Sequence, residues 1–205
     1  SRFRCNYLNQ LHGPGAVFRR IPEDIVAFEN LGLPASIEKV TTWKRGLVLV
    51  TGPTGSGKST TLAAIINRIN KERNLHIITI EDPIEFVHQS LRSYIIQREV
   101  GLHAPSFSRA LFDALQQDPD VILVGELRDL ETMSLAISAA EMGVLVFGTL
   151  HTNSAAKTID RLVDSFPSAE RDQIRGMLAE SLRAIIAQQL LKRIDKPGRI
   201  AAIEV

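Results

Sequence analysis

A glycine-rich segment of the chain combines the residue types and the spacing that bind phosphate groups. It matches the pattern G-x-x-x-x-G-K-[ST], and it stands between an apolar run at 47–50 and an amphipathic stretch that starts at Ser59. In such a loop, backbone N–H groups wrap the phosphates at a helix N-terminus, the lysine reaches the β- and γ-phosphates, and the serine hydroxyl ligates Mg²⁺. We predict a P-loop that binds ATP and Mg²⁺ through Gly52, Pro53, Thr54, Gly55, Ser56, Gly57, Lys58, Ser59 and Thr60.

Glu126 is a candidate catalytic base, because it follows the apolar run 121–124, which is typical of a buried strand. In a doubly wound sheet the ligand lies at the carboxyl ends of the strands, so this carboxylate is placed to deprotonate a water for attack on the γ-phosphate. Gly125 occupies the position where a Walker B element usually has an aspartate. The plainer interpretation is an acidic residue that ends a strand in a loop.

A second group of carboxylates follows the apolar run 76–80 and is expected at the same edge of the sheet. It consists of Glu81-Asp82-Pro83-Ile84-Glu85, in which Pro83 restricts the turn and directs Glu85. Carboxylate oxygens suit Mg²⁺, which they bind directly or through its water shell. We predict that one of these carboxylates holds the metal, with a solvated acidic turn as the alternative.

His151 ends a further predicted strand, 145–149, again at the ligand edge. A neutral histidine there could sense the γ-phosphate or donate a hydrogen bond to it. The alternative is a histidine with a purely structural role.

Strands and helices alternate in a way that predicts an α/β fold with a mostly parallel sheet covered on both faces. The strands are expected at 47–50, 76–80, 121–124, 145–149 and 199–205, and the helices at 59–73, 106–117, 129–142 and about 168–192. Ser1–Pro22 reads as two strands joined by a Gly/Pro turn, which cannot bury a core alone. Residues 23–34 read as a short helix or linker. We expect that both ends of the natural chain lie beyond these 205 residues.

Composition narrows the class of protein. The chain has 24 basic and 23 acidic residues, a net charge of +1 and 5% aromatic residues, which disfavours a nucleic-acid partner. Cys5 is the single cysteine, so no disulfide framework is possible and a cytoplasmic location is expected. The apolar runs are far shorter than the roughly 20 residues of a membrane span.

Taken together, these motifs resemble the secretion ATPase superfamily, and within it the type IV pilus retraction (PilT-like) branch. The resemblance covers nearly the whole chain and is carried by ordered motifs. They are Arg2-Phe3-Arg4, Phe18-Arg19, the P-loop, the segment from Ile80 to His88 (an Asp box), Gln97-Arg98-Glu99-Val100, the segment from Asp118 to Asp129 (a Walker B element), and Gly148-Thr149-Leu150-His151-Thr152 (a His box).

The resemblance implies a RecA-like P-loop motor domain at residues 37–205, a linker at 31–36 and the end of a PAS-like N-terminal domain at 1–30. It implies Glu126 as the base, Glu85 as the magnesium-side carboxylate and His151 as the phosphate sensor, and it makes Arg2, Arg4 and Arg19 arginine fingers. It also implies a homo-hexamer that drives pilus retraction against an inner-membrane platform protein.

Other assignments stay open at this point. A pilus-assembly or type II/IV secretion ATPase belongs to the same superfamily, but that branch often carries a four-cysteine zinc insertion, and the single cysteine of this chain argues against it. A nucleic-acid translocase, a GTPase and a non-catalytic scaffold are more distant alternatives. The GTPase is disfavoured because Asn70-Lys71-Glu72-Arg73 lacks the aspartate of a guanine-reading motif. Val144 and Gln116 depart from the family pattern, which usually has histidine and arginine at these positions.

Overall fold

The computed structural model describes residues 2–21, 24–195 and 197–205. The nine strands of this part of the chain are β1 (Arg2–Gln10), β2 (Gly13–Ile21), β3 (Gly46–Thr51), β4 (His76–Glu81), β5 (Tyr94–Glu99), β6 (Val121–Val124), β7 (Leu145–Leu150), β8 (Leu182–Lys192) and β9 (Arg199–Glu204). The α-helices are α1 (Ala35–Glu38), α2 (Lys58–Glu72), α3 (Phe107–Leu115), α4 (Leu130–Glu141), α5 (Ala155–Asp164) and α6 (Arg171–Ser181), with 3₁₀ turns at Phe28–Leu31 and Lys39–Thr41.

Seven of the strands form one sheet in the order β5-β4-β6-β7-β3-β8-β9. All neighbours pair in parallel except β8 and β9, which are antiparallel. The predicted α/β fold with a mostly parallel sheet is therefore confirmed. Because the strands are parallel, the carboxyl ends of β3, β4, β6 and β7 meet at one edge, where α2 also begins.

The core lies on both faces of this sheet. Successive residues of β3 alternate between the faces, so Leu47 and Leu49 pack into one apolar cluster and Val48 and Val50 into the other. A strand buried on both faces reads as a continuous apolar run, which is why the sequence reveals β3 so clearly.

The helix predicted at 168–192 is wrong. Helix α6 ends at Ser181, and the chain continues as β8, which pairs with β3 on one side and β9 on the other. The residues from Ile185 to Gln188 are buried. Tertiary pairing decides here, because the leucine, alanine and glutamine residues of this segment favour a helix by intrinsic propensity alone. Strand β5 and helix α5 were not predicted.

The first two strands form a separate two-stranded hairpin. Strands β1 and β2 are antiparallel, with Arg4 opposite Arg19 and Gln10 opposite Gly13, and most of their side chains are exposed. The two predicted strands and their turn are therefore confirmed. Ser1, Pro22, Glu23 and Lys196, which fall within the predicted hairpin, linker and motor domain, lie outside the described residues. The domain boundaries stay predictions.

Candidate nucleotide-binding site

The predicted P-loop connects the end of β3 at Thr51 to the start of α2 at Lys58. Gly52, Gly55 and Gly57 have φ angles of 142°, 79° and 90°, which residues with a Cβ atom rarely adopt. The glycines therefore allow the turn that brings backbone N–H groups together at the N-terminus of a 15-residue helix.

The Lys58 ammonium lies within this loop. Its Nζ donates to the carbonyl oxygens of Gly52 at 2.8 Å and Pro53 at 3.1 Å. Burial lowers the pKa of Lys58, and the charge of Glu126 acts in the opposite direction. The lysine is thus a partly desolvated cation next to an anion-binding turn and close enough to Glu126 to feel its charge.

Glu126 and His151 are brought together at the carboxyl edge of the sheet. His151 Nε2 lies 2.9 Å from Glu126 Oε1. Arg128 forms an ion pair with the same oxygen, with its Nε at 2.8 Å. Burial on its own would raise the pKa of Glu126, but the hydrogen bonds and charges of Arg128 and His151 outweigh it and leave the pKa lowered. The carboxylate is therefore held ionised, as a base must be.

Backbone contacts explain why these side chains meet. The Gly125 N–H donates to Ile80 O at 2.7 Å, and the Leu127 N–H donates to Thr149 O at 3.0 Å. The Thr149 hydroxyl also donates to the Gly125 carbonyl. The ends of β4, β6 and β7 are thereby tied together on both sides of Glu126.

The acidic segment after β4 is organised by Gln97 of β5. Gln97 Nε2 donates to Glu81 Oε1 at 3.2 Å and to Phe86 O at 2.9 Å, and its Oε1 accepts from the His88 N–H at 2.7 Å. Glu81 also accepts from the Thr79 hydroxyl at 2.6 Å. Burial raises the pKa of Glu81, and these hydrogen bonds only partly offset it.

A cavity of about 40 Å³ lies between the P-loop helix and this acidic segment. Its polar lining side chains are Ser59, Glu81, His88 and Thr149. Within the described ranges, no three His, Cys, Asp or Glu side chains form a metal-binding group. The oxygen donors fit Mg²⁺ as P-loop proteins bind it, with few protein ligands and the remainder from phosphates and water. Glu81, not Glu85, is the carboxylate that shares the cavity with Ser59.

The structure places the three candidate arginine fingers differently. Arg2 donates to the carbonyl oxygens of Ile84 at 3.3 Å and Glu85 at 2.8 Å, so it contacts the backbone of the acidic segment. Arg4 and Arg19 face each other in the hairpin register and are exposed.

Four residues that organise this site had no individual role in the prediction from sequence. Arg128 and Gln97 belong to the motifs already recognised, but the pattern does not reveal their partners. Glu81 was one of several carboxylates in its segment. Gln188 of β8 contacts the P-loop, and the only sequence signal was a polar residue within an apolar run.

The fold and this edge of the sheet define a P-loop nucleotide-binding protein of the α/β class. The chain belongs to the type II/IV secretion system protein family, whose model matches residues 1–204. It is 59% identical to a twitching motility protein of Neisseria gonorrhoeae and 58% identical to the type IV pilus retraction ATPase PilT of Pseudomonas aeruginosa, over the whole chain in each case. The resemblance to PilT-like secretion ATPases is confirmed.

A solved structure leads to the same group. The crystal structure of the pilus retraction motor PilT with bound ADP matches 98% of the chain with a TM-score of 0.94 at 51% identity. The chain spans 55% and 59% of the two relatives and 59% of the crystallised chain. No helix in the part of the chain that the structure describes is long and apolar enough to cross a membrane.

Proposed function

We propose that this chain is the ATP-hydrolysing part of a motor that drives type IV pilus retraction. The observation that supports this most is the meeting of Lys58, Glu126 and His151 at one edge of a parallel sheet in a chain 58% identical to a pilus retraction ATPase. The P-loop supplies phosphate binding, and the Glu126–His151 pair supplies a base beside it.

In this proposal the P-loop backbone from Gly52 to Thr60 cradles the phosphates, and Lys58 exchanges its two carbonyl partners for the β- and γ-phosphates. Glu126 takes the proton of the attacking water, and His151, beside the γ-phosphate, orients that carboxylate through its Nε2 N–H. Phosphoryl transfer needs little covalent chemistry from the protein, so positioning and charge supply most of the rate.

Magnesium would be held by the Ser59 hydroxyl and a carboxylate of the acidic segment. When bound, the ion neutralises charge on the β- and γ-phosphates. The resemblance favours Glu85 as the carboxylate, whereas the shared cavity favours Glu81. Since Glu81 is held by Thr79 and Gln97, a contact through a water molecule suits it.

The assembled motor is proposed as a cytoplasmic homo-hexamer that works on an inner-membrane pilus platform protein without nucleic acid. Residues 1–30 would complete a PAS-like domain, 31–36 a linker and 37–205 the motor domain. Arg4 and Arg19 are exposed and free to reach a nucleotide as fingers in the assembled ring, whereas Arg2 would act through the acidic segment. Light-scattering mass and ATPase rate, both measured against protein concentration, test whether activity depends on the hexamer. A monomer that hydrolyses ATP as fast per subunit as the full-length ring would contradict the proposal.

Two variants test the enzymatic proposal. Lys58→Ala removes the phosphate-binding cation and is expected to abolish ATP binding and turnover. Glu126→Gln keeps the shape of the side chain and loses the base, so it is expected to bind Mg-ATP normally while turnover falls by roughly 10² or more. Wild-type turnover in Glu126→Gln would refute the assignment of the base.

A pilus-assembly or secretion ATPase is the second candidate, because the matched family model covers type II and type IV secretion proteins together. Deletion of the gene separates the two. Loss of a retraction motor leaves cells with excess pili that do not retract, and loss of an assembly motor leaves none.

A further inference from the structure

A polar side chain is buried under the P-loop, at the end of a run of buried residues in β8 that is otherwise apolar. Gln188 of β8 is 3% exposed and follows Ala187, which lies opposite Thr51, the last residue of β3. Gln188 therefore lies level with the point where the P-loop leaves the sheet.

Both ends of the Gln188 amide are satisfied. Its Nε2 donates to the Ser56 carbonyl at 2.8 Å, and its Oε1 accepts from the Thr61 hydroxyl at 2.9 Å. The Ser56 carbonyl can only accept, which fixes the orientation of the amide and requires the hydroxyl to be the donor. A buried amide without partners destabilises the folded state, and these two hydrogen bonds compensate for the burial of Gln188.

The bond to Ser56 sets the direction of a phosphate-binding donor. The Ser56 carbonyl and the Gly57 N–H belong to one planar peptide unit, in which they point in opposite directions. When Gln188 holds the carbonyl toward the sheet, the Gly57 N–H must point away from it, into the loop. Gly57 has φ of 90°, and a Cβ atom there would lie 2.8 Å from Gln188 Nε2. The close approach of the Gln188 amide to the loop therefore depends on a glycine at position 57.

The bond to Thr61 links the same amide to the first turn of α2. Thr61 is 2% exposed, and its N–H donates to the Gly57 carbonyl at 3.0 Å. Gln188 thus spans Ser56 and Thr61, on either side of the backbone N–H groups that begin the helix.

We infer that Gln188 is a positioning residue for phosphate binding, which orients the peptide between Ser56 and Gly57 so that its N–H faces the nucleotide. The inference rests on the proposed function, because it requires that the P-loop binds a nucleotide phosphate. It assigns to β8 a role in the site beyond completing the sheet.

Titration of the intact protein with Mg-ADP and Mg-ATP by calorimetry tests this role, because it yields the dissociation constant and the fraction of competent sites separately. Gln188→Leu keeps the volume and removes both hydrogen bonds, so the dissociation constants should rise about tenfold at full stoichiometry. Gln189→Leu is the matched control, because Gln189 is the exposed neighbour on the same strand, and its constants should not change.

Thr61 provides a second measurement if Gln188→Leu does not fold. Thr61→Val keeps the shape and loses the hydroxyl, so it should weaken binding by about threefold or more, and Thr61→Ser should recover most of that loss. A reduced number of sites with an unchanged dissociation constant would show that Gln188 serves folding only, and would overturn the inference. Unchanged binding in Gln188→Leu would do the same, whereas failure of the unmodified protein to bind Mg-ADP would overturn the proposed function as well.

Discussion

His151 Nε2 lies 2.9 Å from Glu126 Oε1, so the residue after β7 and the residue two positions after β6 form one unit. Arg128 contacts the same oxygen at 2.8 Å. A carboxylate that accepts from two partners through one oxygen keeps its second oxygen for a water molecule, as the proposed role of Glu126 as a base requires. The charge on Glu126 therefore depends on neighbours that the sequence places 2 and 25 positions away.

Arg128→Ala should raise the pKa of Glu126. Glu126 must be ionised to act as a base, and kcat/KM reports the ionisation of the free enzyme. The acidic limb of the kcat/KM profile should therefore move to higher pH, because Arg128 helps to keep the pKa low. Arg175→Ala is the control, since Arg175 pairs with Asp172 on α6. An acidic limb at the same pH in Arg128→Ala and the unmodified protein would contradict the role of Arg128.

His88 should make the folded protein sensitive to acid. Burial lowers the pKa of His88 from 6.5 to about 4, and its Nδ1 is buried without a hydrogen-bond partner. Between these two pKa values the unfolded chain binds a proton that the folded chain excludes. The stability is thus fully present above pH 6.5 and is lost as the pH falls toward 4, by up to about 3 kcal/mol at about 1.4 kcal/mol per pH unit.

Urea unfolding of His88→Gln and the unmodified protein between pH 4.5 and pH 7.5 measures this contribution. The difference in free energy of unfolding between the two should change with pH in that window. His12→Gln, on the exposed hairpin turn, should follow the unmodified protein. Parallel curves for His88→Gln and the unmodified protein would show that His88 titrates normally.

Arg2 is expected to brace the acidic segment. Its guanidinium bonds the carbonyl oxygens of Ile84 and Glu85, so Arg2→Gln should increase hydrogen exchange of the amides in 82–88. Arg4→Gln is the matched control, because Arg4 is exposed on the same strand. Equal exchange in both variants would contradict the bracing role of Arg2 and leave it a candidate arginine finger like Arg4.

The elements that carry the P-loop, Glu126 and His151 were predicted from the sequence, and the contacts between them were not. Apolar runs such as 121–124 are buried on both faces, so they indicate strands. The ends of these strands in turn indicate the sheet edge at which Glu126 and His151 lie. Residues 182–192 have the composition of a helix and form a strand only because they pair with β3 and β9. For that reason Gln188 could not be connected to a P-loop 132 positions earlier.

Val144 differs from the usual histidine of the family, and the structure predicts that this difference has little effect on catalysis. Val144 precedes β7 and packs against the core, whereas His151 follows β7 at the ligand edge. Seven residues of extended chain separate the two by roughly 23 Å at 3.3 Å per residue. A histidine at position 144 therefore cannot reach the nucleotide within the same chain.

Val144→His should accordingly leave the ATPase rate within about twofold of the unmodified protein, whereas His151→Ala should lower kcat by about tenfold or more, because it removes a direct partner of Glu126. Steady-state kinetics of both variants, with the melting temperature as a check on folding, provide the measurement. A several-fold gain in kcat for Val144→His would mean that position 144 acts across a subunit boundary, since a side chain so far from Glu126 in its own chain could contribute only to a neighbouring site.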